Sequence, residues 1–75
     1  MGRADLLNAY EKTGLDWREA AANISDYAGS TADGGEFFAE AFANWRRGKW
    51  NDWDLTQPHN QWVVPIMKLF NGMPL

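Results

Sequence analysis

A chain of 75 residues with no cysteine and seven basic against ten acidic side chains has room for one domain at most. The missing cysteines exclude a disulfide framework and a thiolate zinc site, and the net charge of −3 speaks against a dedicated nucleic-acid binder. With 45% apolar residues and five tryptophans, what remains is a small globular unit or a piece of something larger.

The pattern along the chain predicts helices separated by polar breaks. Residues 3–12 place Leu6, Leu7 and Tyr10 at helical spacing, and Thr13-Gly14 closes the segment in the manner of a C-cap. Asp16 caps a second short helix running to about Asn23, and Ser30, Thr31, Asp33, Gly34 and Gly35 form the clearest loop. Residues 36–47 give the strongest helix, with Phe38, Phe42 and Trp45 on one face, acidic residues leading and Arg46 and Arg47 trailing, which suits the helix dipole. Residues 49–60 have no period and read as a long loop. An apolar pattern returns over 61–71, with the last helix starting near Val64 so that Pro65 falls in its first turn. The expectation is an all-α fold of three or four short helices in a single domain over 1–75, stabilised by a partner.

A partner is expected because of the aromatics. A domain this small buries only roughly 60% of its unfolded surface. Trp45, Trp50 and Trp53 lie among Arg, Lys, Asn and Asp, an odd place for a core. Phe37, Phe38, Phe42, Trp45, Trp50, Trp53 and Trp62 are therefore the expected docking surface. Charge is also divided: residues 1–43 carry three basic and eight acidic side chains, residues 44–75 four basic and two acidic. The basic end could meet phosphate or another protein, or be a solvated helix end. Nucleic acid is not expected as a partner. No apolar run approaches the roughly 18 residues of a span, and the N-terminus has no secretory h-region, so neither a membrane nor a secretion signal is expected.

Few residues suggest chemistry. His59 is the only histidine and stands in a loop after a proline, so a Ser–His–Asp arrangement or a self-contained zinc site has too few members. Gly34-Gly35 lacks the Lys-Ser/Thr that a phosphate loop requires. Glu36 and Glu40 stand one helical turn apart beside two phenylalanines, and on spacing alone they read as an exposed acidic edge.

The stretch ISDYAGSTADGGEFFAEAFANW is nevertheless distinctive. Through Ser25, Tyr27, Ala28, Thr31 and the run Glu36 to Phe42 it resembles the C-terminal part of the catalytic domain of anthrax-lethal-factor-like zinc metallopeptidases. Similar segments occur in toxin-like and head-morphogenesis proteins of tailed phages. The resemblance covers about residues 24–71 and is weaker over Pro65, Ile66, Met67, Leu69 and Phe70. It implies Glu36 as the third protein ligand of zinc, Tyr27 as the hydroxyl that stabilises the oxyanion, and Glu40 as a carboxylate steadying a zinc-bound histidine. Phe37, Phe38 and Phe42 would pack the helix under the site. The family's HExxH helix has no counterpart, since residues 1–23 contain no histidine, and the interval from Tyr27 to Glu36 is about two residues longer than usual.

Half a site has four explanations: a fragment of a larger peptidase-like protein, a shortened phage protein keeping the segment as a structural module, one chain of a split enzyme, or an unrelated helical interaction domain. The second leads, because Met1 and the first helix make the chain look complete and the tryptophans suggest docking. The expectation is a non-catalytic structural or interaction protein, phage head-associated and located in the virion or host cytoplasm. Its partner would be a head or connector protein or a second copy. No cofactor is expected, and zinc only if a partner supplies two histidines.

Overall fold

The computed structural model describes residues 1–73; the last two positions of the expected 1–75 domain, Pro74 and Leu75, lie outside the described residues. Four α-helices make up the described fold: α1 (Arg3–Thr13), α2 (Trp17–Ile24), α3 (Gly35–Arg46) and α4 (Val64–Phe70). Two 3₁₀ segments, Tyr27–Gly29 and Pro58–Val63, join them, and no strand occurs among the described residues. The all-α expectation is met.

Local chemistry sets the helix ends. The Asp5 carboxylate accepts the Gly2 N–H at 2.9 Å ahead of α1, and Gly14 closes that helix with φ 75°. Asp16 caps α2 by accepting the Arg18 N–H at 2.9 Å. The α3 N-terminus is capped from further upstream: Asp33 Oδ1 accepts the Gly35 N–H at 2.9 Å, and Thr31 Oγ1 accepts the Glu36 N–H at 3.1 Å. This loop can turn because Gly34 adopts φ 77°, a conformation costly for residues with a Cβ.

The helices enclose a core built from every element. Leu6, Ala9 and Tyr10 come from α1, Ala20 and Ala21 from α2, Phe37 and Ala41 from α3, and Ile66 and Phe70 from α4. Ala28, Val63 and Trp50 complete it from outside the α-helices. Phe37 lies at its centre, edge-on to Tyr10 at 5.4 Å between ring centroids and stacked on Trp17 at 5.5 Å.

The segment expected to be an aperiodic loop has more structure than its sequence suggests. Residues 58–63 form a 3₁₀ helix, and the chain folds back after Gly48 (φ 75°) so that Trp50, Trp53 and Trp62 pack as a mutual edge-to-face trio, with centroids 5.7 to 6.4 Å apart. The polar residues between the tryptophans close this fold. Asp54 Oδ1 accepts the Thr56 N–H and hydroxyl at 3.0 and 2.6 Å, Asn60 Nδ2 donates to the Asp54 carbonyl at 2.9 Å, and Gln61 donates to the Leu55 carbonyl. A polar sequence around buried rings here reflects a loop whose side chains satisfy its own backbone. No helix among the described residues is long and apolar enough to cross a membrane.

Candidate functional site

At 100° per residue, the buried stripe of α3 runs through Phe37, Ala41 and Asn44. Glu36 and Glu40 stand on one flank of that stripe, and Phe38, Phe42 and Trp45 on the other. The two groups of residues singled out in the sequence thus occupy opposite sides of one helix.

On the acidic flank, the 3₁₀ turn Tyr27–Gly29 packs against α3. It is held at its start by Ser25 Oγ, which accepts the Ala28 N–H at 3.1 Å, and by the buried Ala28 side chain. This turn brings Tyr27 to the two glutamates. Its hydroxyl is pushed above the ordinary tyrosine range, chiefly by the neighbouring Glu36 carboxylate, with burial and the charge of Glu40 contributing less. Tyr27 remains 61% exposed, and Glu36 and Glu40 are half-buried. The three residues that the resemblance joins in one site are therefore neighbours, on a face open to solvent.

Their chemistry is limited to a phenol and two carboxylates. No group of three or more histidine, cysteine, aspartate or glutamate side chains placed to hold a metal occurs among the described residues. A catalytic zinc takes three protein ligands and one open position, so Glu36 alone does not fit the ion. His59 belongs to a different neighbourhood: it is beside Asp54, whose carboxyl is held below its usual range chiefly by the Thr56 hydroxyl and N–H, then by Gln57, with His59 a minor contributor.

The aromatic flank joins α3 to α4. Phe70 is the hub, lying edge-on to Phe38 at 5.7 Å and to Phe42 at 5.6 Å, and tilted against Trp45 at 5.4 Å. Phe42 also contacts Phe38 and Trp45. The Trp45 indole N–H donates to Asn71 Oδ1 at 3.0 Å, which fixes the ring against the end of α4. Phe42 is 37% exposed and Phe38 and Trp45 are half-buried, so the cluster presents a continuous aromatic edge to solvent.

The expected docking surface is smaller than the sequence suggested. Phe37 and Trp50 are corrections: at 0% and 1% exposure they belong to the chain's own core and are closed to a partner in this fold. Trp53 and Trp62 are half-buried and spend much of their surface on Trp50. Only Phe38, Phe42 and Trp45 remain together at an exposed edge. Phe70 and Asn71, which organise that edge, were not singled out in the sequence. Phe70 was visible as one member of an apolar pattern and of the weak end of the resemblance, and no local signal marks the Asn71 bond to a ring 26 positions away.

No protein-family model, curated protein or solved structure matches the chain. The metallopeptidase resemblance therefore stands on the quoted residues alone.

Proposed function

We propose that the chain is a non-catalytic structural and interaction module that docks on a protein through the α3–α4 aromatic edge. The supporting observation is Phe42, a large ring left 37% exposed while its neighbours Phe38, Trp45 and Phe70 hold it in place. Preset aromatic side chains lose little freedom on binding and are common anchors of interfaces. A phage head or connector protein is the partner suggested by the resemblance, in a virion or host cytoplasm, and a second copy of the chain is the other occupant of the same edge. Sedimentation equilibrium over a wide concentration range, repeated with head and connector proteins, tests this reading. Association weakened by Phe42→Ala supports it. A chain that stays monomeric and binds none of them refutes it.

A second reading is favoured by the meeting of Tyr27 with Glu36 and Glu40. In this reading the chain is the fragment or split half of a zinc metallopeptidase whose HExxH helix lies on another segment or chain. Glu36 would supply one ligand and Tyr27 the hydroxyl facing the scissile carbonyl, while the missing partner would bring two histidines and the general base. Metal analysis of a complex with an HExxH-bearing chain distinguishes the readings: stoichiometric zinc that disappears in Glu36→Gln, with the complex intact, establishes the split site. Zinc content unchanged by Glu36→Gln rejects it.

A further inference from the structure

We draw no further inference here: the strongest candidate, the open groove between α1 and α4 lined by Asp5, Asn8, Ala9, Glu11, Lys12 and Leu69, carries nothing because its lining mixes both charges with a small apolar floor and nothing in the structure shows what covers it.

Discussion

The hydroxyl of Tyr10 donates to the backbone carbonyl of Trp62, 52 residues further along the chain. The bond ties α1 to the 3₁₀ segment ahead of α4 and anchors the tryptophan trio to the first helix. Tyr10 is 1% exposed and the bond is partly buried, so removing the donor costs the bond and leaves the Trp62 carbonyl without this partner. Tyr10→Phe keeps the ring contact with Phe37 and is expected to destabilise the fold by about 1–3 kcal/mol. Urea unfolding followed by tryptophan fluorescence measures this. An unchanged midpoint would show that the bond contributes nothing.

The two tyrosines differ in how they titrate. Burial pushes the Tyr10 hydroxyl far above the ordinary tyrosine value, whereas Tyr27 is raised mainly by the Glu36 charge and stays exposed. For Tyr10 the folded state holds the proton more tightly than the unfolded state. Its contribution is therefore fully present below pH ~10 and declines as pH rises above that value, by up to ~1.4 kcal/mol per pH unit. Ultraviolet difference titration should show one tyrosine ionising reversibly, somewhat above the ordinary value, and the second only as the fold opens. Glu36→Gln should bring the first transition back down. If that transition does not move, Tyr27 and Glu36 are not neighbours in solution.

Stability and docking should separate along the aromatic residues. Trp50 is enclosed, and its indole N–H has no acceptor among the described residues, so Trp50→Phe mainly sacrifices packing. Trp50→Ala is expected to cost about 3–5 kcal/mol and Trp50→Phe less. Phe42→Ala, at an open edge, is expected to cost only about 1–2 kcal/mol of stability. Its effect on association should be larger, at least about 2 kcal/mol or roughly thirtyfold in Kd, if Phe42 anchors the interface. Chemical denaturation and sedimentation on the same three variants provide both numbers. Loss of association in Trp50→Phe with none in Phe42→Ala would place the docking surface elsewhere.

The helices were legible because their signals are local. The Asp16 cap, Gly14, and the apolar spacing of α1, α3 and α4 all act within a few residues, and the observed bounds fall within one residue or so of those expected. The tryptophan segment was not legible for the opposite reason. A 3₁₀ helix of six residues has no amphipathic period, and Trp50 is buried by rings three and twelve positions away that meet it only after the chain doubles back. Polar neighbours suggested exposure, yet the Asp54, Asn60 and Gln61 side chains serve the loop's own backbone. The candidate site was legible in part. Resemblance grouped Tyr27, Glu36 and Glu40, and helical spacing put Phe38, Phe42 and Trp45 on one face, but that Phe70 and Asn71 hold this face as an edge is set by long-range packing.

Gly34 sets the entry of α3 and, through it, the position of Glu36. A Cβ at Gly34 would lie 2.9, 3.1 and 3.3 Å from Cδ2, Cδ1 and Cγ of Leu7, so the half-buried leucine side chain has to shift to admit it. Gly14 has nearly the same φ, 75° against 77°, but no atom within 4 Å of its would-be Cβ. The two glycines therefore separate backbone strain from crowding. Gly14→Ala should cost about 1–2 kcal/mol, the left-handed penalty alone. Gly34→Ala should add an overpacking cost of up to about 1 kcal/mol, the low end of the core range, because the crowding atoms belong to a side chain that can move. In the double variant Leu7→Ala, Gly34→Ala that addition should largely vanish, appearing as a coupling energy in a double-mutant cycle. Moving the α3 N-terminus should also loosen Glu36 from Tyr27, so the Tyr27 transition in Gly34→Ala should fall toward the ordinary value. Equal losses at Gly14 and Gly34 with no coupling to Leu7 would show that α3 enters the core without being set by this contact.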